Sequence, residues 1–131
     1  MDLGEAVMVA GIGCRSGVSA EQVEAALAAA QNLSARTVTH LATPIAKAHE
    51  PGIVSAAAAR GIPLVVIEQT DLEAANPRTL THSEHSMTAM NVHSAAEAAA
   101  LAGAGPGSRL LGPRIAVGPV TCALAEAANT P

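Results

Sequence analysis

The sequence predicts an α/β fold, with one three-layer domain over residues 1–131 and a mostly parallel central sheet of about four strands flanked by helices. Three observations predict it. An apolar run at residues 6–10 has the composition of a buried strand, glycines follow at positions 11, 13 and 17, and a helix pattern begins near Ser19. This order is the start of a βαβ unit. Two further strand patterns alternate with helix patterns as far as Ile67.

The composition limits the classes of function. Half of the 131 residues are hydrophobic and 14% are charged, which is typical of a globular protein. The chain has no Phe, Trp or Tyr, so apart from histidine it offers no ring on which a nucleic-acid base could stack. A net charge of −4 also argues against a general polyanion binder. We therefore predict no nucleic-acid partner.

The sequence predicts a cytoplasmic protein that does not bind membranes. No basic region precedes the first apolar run, and no apolar stretch approaches the roughly 18–20 residues of a membrane span. The two cysteines, Cys14 and Cys122, are predicted to be reduced thiols because disulfides are rare in that compartment.

The first half of the chain has clear element signals. Ser19 and Gln22 form a capping box at the start of the first helix, whose spacing buries Val23, Ala26, Leu27 and Ala30. Residues 36–43 predict the second strand, residues 45–50 a short helical turn, and residues 53–60 a short helix that ends at Gly61. The apolar run at 64–67 predicts a third strand, central and buried on both faces.

The second half of the chain is less regular. Residues 71–80 predict a loop with at most a short helix. Two further capping boxes, Thr81 with Glu84 and Ser94 with Glu97, predict helices that end near residue 90 and at Gly103. This capping role explains Glu97 without assigning it to catalysis.

The segment between the first strand and the first helix is the strongest candidate site. Its glycines allow close backbone approach, and free N–H groups at a helix N-terminus beside Arg15 favour an anion. The spacing G-x-G-x-x-x-G matches neither the dinucleotide fingerprint nor the phosphate-binding loop, so a plain tight turn is an equal alternative. Cys14 has two neighbours that lower a thiol pKa, yet a small packing residue is the favoured interpretation.

A second cluster follows the second strand and contains Thr43, Lys47, His49 and Glu50. Loops beyond the carboxyl ends of parallel strands face one crevice, so Lys47 would meet a substrate carboxylate beside Arg15. An exposed Lys47–Glu50 pair is the alternative. His82, His85 and His93 offer imidazoles with one nearby carboxylate and no cysteine, and we predict neither a metal site nor a cofactor.

The segment GIGCRSGVSAEQVEAAL resembles the CobE family of cobalamin biosynthesis, which is equivalent to the C-terminal domain of the CbiG proteins. Further matches follow in the same order, in LATPIAKAHEPGI, GIPLVVI, SAAEAAALAGAG and VTCALA. The resemblance covers nearly the whole chain. It favours a strand for residues 120–125, which the residues alone leave open between strand and helix, and the chain length is that of the free-standing type.

The resemblance implies a protein of the aerobic pathway that binds or acts on a precorrin, a corrin-ring precursor bearing acetate and propionate carboxylates. CbiG proteins are linked to opening the lactone of cobalt-precorrin-5A, but no base–nucleophile pair is visible here, so an accessory or carrier role is preferred to a lactone hydrolase. A small module that binds a nucleotide or another anion is a third hypothesis.

The implied partners are a corrinoid and other cobalamin-pathway enzymes, and Arg114 is a further candidate cation. The implied substrate-binding residues are Gly11, Gly13, Cys14, Arg15, Ser16, Gly17, Thr43, Lys47, Glu50 and Thr121.

Overall fold

The structure, a computed structural model, describes residues 7–128. Within them, one sheet contains β1 (Met8–Cys14), β2 (His40–Pro44), β3 (Leu64–Ile67), β4 (Arg109–Leu110), β5 (Ile115–Val117) and β6 (Val120–Glu126). The strand order is β3-β2-β1-β6-β4, and β5 also pairs with β6. The first three strands run parallel, whereas β6 is antiparallel to β1 and to both of its short partners.

Helices cover both faces of this sheet. On one face, α1 (Ala20–Gln31) and α2 (Pro51–Arg60) pack against Met8, Ala10 and Ile12 of β1. On the other face, α3 (Gln69–Ala75) and α5 (Ala95–Ala104) pack against Val9. The fourth helix, α4 (Glu84–Met90), lies between α3 and α5 in the chain. The predicted three-layer α/β fold is confirmed, with six strands in the described part rather than about four.

The helix α5 lies unusually close to the sheet because nearly all of its residues are small. Its residues from Ala95 to Leu101 are buried, and Gly11 of β1 faces its backbone directly. A Cβ on Gly11 would lie 2.0 Å from the carbonyl oxygen of Ala96. Close packing of small residues thus replaces the aromatic side chains that this core lacks.

Three glycines have roles other than the predicted ones. The first strand was expected to end before Gly11, but β1 continues through Gly11 and Gly13 and pairs with β6 as far as Cys14. In the turn that follows, Gly17 has a positive φ, 84°. Gly103 does not end α5, because it is a packing position inside the helix whose Cβ would lie 2.9 Å from that of Ala42.

Two strand predictions also differ from the structure. β2 begins at His40 rather than at residue 36, because the backbone of residues 36 and 38 bonds to the Gln31 side chain instead of to a neighbouring strand. β3 has the predicted bounds, but it lies at the edge of the sheet with Val66 exposed, since β2 is its strand partner and β6 occupies the other side of β1. The strand β6 confirms the assignment of residues 120–125.

In the second half, α3 and a single 3-10 turn at Asn76–Arg78 occupy most of the predicted loop. The capping box predicted at Thr81 is wrong: Ser83 caps α4, and its Oγ accepts the N–H of Ser86 at 3.1 Å. No helix among residues 7–128 combines the length and the apolar character needed to cross a bilayer.

The capping box of α1 is confirmed. The Ser19 hydroxyl accepts the Gln22 N–H at 3.1 Å, and the Gln22 side chain accepts the Ser19 N–H at 2.9 Å. We expect Ser19→Ala to lower the free energy of unfolding by about 1 kcal/mol, because it removes the acceptor of an otherwise unpaired helix donor. Ser55→Ala, on the exposed side of α2, is the matched control and should change it by less than about 0.5 kcal/mol. Urea unfolding followed by circular dichroism measures both, and equal values would contradict the capping assignment.

Candidate binding cleft

An open cleft with a volume of about 590 Å³ lies at the carboxyl ends of β1 and β2. One side is formed by the end of β1 and the residues after β2, including Lys47. The turn between β5 and β6 and the nearby Arg114 form a second side. The helix α4 and the first residue of α5 close the third. This is the place in an open α/β sheet where ligands usually bind.

The cleft is lined by cations and by no carboxylate. Arg15, Lys47 and Arg114 are among its lining residues, which include no Asp or Glu. The chain has only seven Lys and Arg residues and a net charge of −4, so these three are a large share of its positive charge. Within residues 7–128, none of the three forms an ion pair, whereas Arg36, Arg60 and Arg109 all pair with glutamates. Three positive charges without an ion-pair partner therefore line this cleft.

The turn after β1 offers fewer free N–H groups than the sequence suggests. The Gly17 N–H donates to Oε1 of Glu50 at 2.9 Å, and the Arg15 N–H donates to the carbonyl of Pro119 at 3.3 Å. The Ser19 N–H is taken by the capping box. The Glu50 carboxylate thus already occupies part of the position predicted for a ligand anion, and it joins the turn to the segment after β2.

The Cys14 thiol is not activated. Burial raises its pKa above the ordinary value, and the neighbouring Lys47 charge, which lowers it, does not offset burial together with Glu50. This direction is opposite to the one expected from Arg15 and the helix N-terminus. At neutral pH the side chain is a protonated thiol, which is a poor nucleophile. Cys14 and Cys122 are both free.

The structure brings some of the predicted site residues together and separates others. Five of them line the cleft: Gly13, Cys14, Arg15, Lys47 and Thr121. The other five are not among its lining residues: Gly11, Ser16, Gly17, Thr43 and Glu50. Gly11 is covered by α5, and Thr43 is fully buried with its hydroxyl donating to the carbonyl of Ile12 at 3.0 Å. Ser16 accepts a 3.4 Å hydrogen bond from Lys47.

The sequence did not indicate the α4 wall, which is the side of the cleft formed by α4 and its capping residue Ser83. It contributes Ser83, His85, Ser86, Ala89 and Met90 to the cleft. No local signal marks these residues, because α4 does not directly follow a parallel strand and reaches the cleft only through tertiary packing. His82, considered with His85 as a ligand, instead stacks on His93 with ring centroids 4.4 Å apart. In the described part of the chain, no three His, Cys, Asp or Glu side chains converge as metal ligands do.

Beneath the cleft lies a fully buried carboxylate, Glu97 of α5. It accepts the N–H groups of Leu80, Thr81 and Arg114, the last two at 2.9 and 2.8 Å, and also the Thr81 hydroxyl. Burial raises the pKa of the Glu97 carboxyl, but these hydrogen bonds outweigh burial and lower it below the ordinary value. Only half of the predicted capping box is formed. The Ser94 hydroxyl accepts the Glu97 N–H, but the Glu97 carboxylate bonds to Leu80, Thr81 and Arg114 instead of to the Ser94 N–H.

Together, the fold and the cleft define a three-layer α/β protein with a cation-lined cleft at the carboxyl ends of its parallel strands. The family model described as "Cobalamin synthesis G C-terminus" matches residues 8–125, and the chain belongs to this family. The resemblance found in the sequence is thereby confirmed. No curated protein matches the chain.

Solved structures agree with the family assignment. The chain is 33% identical to CobE, a protein from the cobalamin (vitamin B12) biosynthetic pathway, over 92% of this chain and 90% of that one, with a TM-score of 0.86. It is 43% identical to the cobalamin biosynthesis protein chiG from Agrobacterium tumefaciens str. C58, over 94% and 100%, with a TM-score of 0.77. A putative cobalamin biosynthesis protein G homolog from Sulfolobus solfataricus shares the fold at 17% identity and a TM-score of 0.71, where the match covers 92% of this chain and 37% of that one.

Proposed function

We propose that this protein binds a precorrin of the aerobic cobalamin pathway in the cleft and carries or shields it without changing it. The observation that carries the proposal is the set of cations Arg15, Lys47 and Arg114, which line one cleft of an acidic chain and have no carboxylate partner among residues 7–128. A precorrin carries acetate and propionate carboxylates around its ring. Charge-assisted hydrogen bonds from arginine and lysine suit those groups.

The remainder of the lining suits the ring itself. Small and aliphatic residues line the cleft between the cations: Ala46, Ala89, Met90, Ala95 and Pro119. Without aromatic side chains, the macrocycle would be held by aliphatic contacts on its face and by charge at its edge. Apolar walls with a few placed polar groups are typical of small-molecule sites.

The chemistry of the cleft favours binding over hydrolysis. Hydrolysis of a lactone needs a positioned base or nucleophile, and the raised pKa of Cys14 argues against a thiolate. The Glu97 carboxylate is saturated by hydrogen bonds, and Glu50 is engaged by the turn. A precorrin lactone hydrolase is nevertheless the second candidate, because the His85 imidazole lies in the cleft wall, where it could activate water.

A carrier would exchange its ligand with other cobalamin-pathway enzymes, which we propose as its partners in the cytoplasm.

Titration with a metal-free precorrin, followed by visible absorption and by mass spectrometry of the ligand, tests this function. Arg15→Ala and Lys47→Ala should each weaken binding about tenfold, the value of one charge-assisted hydrogen bond. Arg109→Ala is the matched control, since it removes the same charge from an exposed side chain outside the cleft. It should leave the affinity within about twofold.

Each outcome has a distinct meaning. A spectral shift with unchanged ligand mass supports a carrier, whereas loss of the two-carbon fragment makes the protein a hydrolase. Normal binding by both cleft variants would show that the ligand lies elsewhere. Binding of a nucleotide in place of the precorrin would support the alternative of an anion-binding module.

A further inference from the structure

We propose that Glu97 is a positioning residue for ligand binding, which acts through Arg114. The proposal rests on the proposed function, since Arg114 is one of the cations expected to meet the ligand. Glu97 itself is buried beneath the cleft and is not among the residues that line it.

The geometry connects a rigid helix to an irregular segment. Glu97 lies in the buried part of α5, which packs on the sheet along its length. Its Oε2 accepts the backbone N–H of Arg114 at 2.8 Å. Arg114 belongs to residues 111–114, which connect β4 to β5 without forming a helix or strand. The carboxylate therefore anchors the backbone at Arg114, a residue that lies outside the β-sheet.

The same carboxylate also holds the opposite wall. Its Oε1 accepts the N–H groups of Leu80 and Thr81, three and two residues before Ser83, which caps α4 and lines the cleft. One buried group thus sets the distance between the α4 wall and the Arg114 wall. When both sides of the cleft are held in place before a ligand binds, the entropic cost of binding is smaller.

Replacement by glutamine isolates this role. All four groups that contact the Glu97 oxygens are donors, and they divide between the two oxygens. A glutamine has one acceptor oxygen and one donor NH₂. With its oxygen toward the N–H groups of Leu80 and Thr81 it keeps both of those bonds, and its NH₂ can donate to the Thr81 hydroxyl, so the Arg114 N–H is the one donor left without an acceptor. The side chain keeps its size while the Arg114 side of the cleft is released.

A double-mutant cycle tests transmission through Arg114, with a metal-free corrin polycarboxylate as the probe. Glu97→Gln and Arg114→Ala should each weaken binding about tenfold. In the Arg114→Ala background, Glu97→Gln should cost less than about a further twofold, because the side chain that it positions is gone. A merely structural role would lower affinity equally in both backgrounds, and that result would overturn the proposal.

Ser108→Ala is the matched control for stability. It removes another buried hydrogen bond to α5, from the Ser108 hydroxyl to the Leu101 carbonyl at 2.9 Å, at a residue that does not line the cleft. We expect it to lower the free energy of unfolding and to leave the affinity unchanged. A loss of affinity comparable to that of Glu97→Gln would mean that binding follows stability alone, which contradicts the proposal.

Amide hydrogen exchange tests whether Glu97 positions Arg114 without depending on ligand binding or on the folding of the variant. In the wild-type protein, the Arg114 amide should be protected far more than the Gly112 amide, because it donates to the Glu97 carboxylate. In Glu97→Gln this protection should fall, while that of α5 remains. If the wild type binds no corrinoid, the proposed function fails, but the exchange result still decides whether Glu97 positions Arg114. Rapid exchange of the wild-type Arg114 amide would overturn the positioning role even if the variant does not fold.

Discussion

Gly11→Ala is expected to prevent stable folding. The added Cβ would lie 2.0 Å from the Ala96 carbonyl oxygen, 2.6 Å from the Ala100 nitrogen and 2.9 Å from its Cβ. Two of these are backbone atoms of a buried helix, so no side-chain rotation relieves the contact. Overpacking of a core typically costs 1–3 kcal/mol, and a backbone clash of this size should exceed about 4 kcal/mol, a large part of the usual stability of a domain.

Two other glycines provide a graded control. A Cβ on Gly112 meets no atom within 4 Å, so Gly112→Ala should leave the free energy of unfolding within about 0.5 kcal/mol. A Cβ on Gly103 would lie 2.9 Å from the Ala42 Cβ and 3.1 Å from a Val9 methyl, and Gly103→Ala should fall between the other two. Urea unfolding followed by circular dichroism gives the order, since the chain has no Trp or Tyr for fluorescence. A Gly11→Ala protein as stable as Gly112→Ala would contradict the close contact between α5 and β1.

Local signals in the sequence were reliable where the structure is determined locally. The capping box at Ser19 and the buried face of α1 are set by residues within one helix, and they were predicted correctly. The bounds of β3 were also correct, because a four-residue apolar run between a glycine-proline turn and a polar segment admits few alternatives. Its edge position was not predicted, since that depends on where β6, far along the chain, enters the sheet.

The glycines of β1 show why local patterns fail at long-range contacts. A glycine cluster after an apolar run has the same sequence whether it forms a loop or lies under a helix. Gly11 is required by Ala96 and Ala100, more than 80 residues later, and nothing near Gly11 contains that information. Glu97 is a second example. The cap that Ser94 provides for its N–H was predicted from neighbouring residues, but its carboxylate bonds to residues 16 or 17 positions away, which no local pattern indicates.

The cleft could be predicted only in part for a related reason. The rule that parallel strands end at one edge placed Arg15 and Lys47 together, and both line the cleft. The α4 wall reaches that edge from the other face of the sheet, across a connection whose path the sequence does not specify. Arg114 was identified as a cation, but its position depends on the Glu97 contact. Topology therefore predicts one half of the site, and tertiary hydrogen bonding determines the other.

The stability of the protein is expected to fall steeply between pH 9 and pH 12 because of Cys122. This thiol is 1% exposed in β6, and burial raises its pKa from 9.0 to about 12, against a smaller opposing effect of the Arg60 charge. A raised pKa means that the folded state holds the proton more tightly than the unfolded state. The stabilisation is thus complete below pH 9.0 and is lost as the pH rises toward 12. The full shift corresponds to about 4 kcal/mol.

The comparison of wild type with Cys122→Ala as a function of pH isolates this effect. Below pH 9 the variant should be less stable by a constant amount, because it loses buried side-chain volume. Above pH 9 the difference should shrink, since the variant has no buried thiol to ionise. The absence of tyrosine leaves the ultraviolet absorbance of the thiolate clear, so the titration of the folded protein can be followed directly. A pH-independent difference, or a thiolate signal near pH 9 that is present in the folded wild type and absent from Cys122→Ala, would show that Cys122 is solvated and that β6 is less firmly packed than the structure indicates.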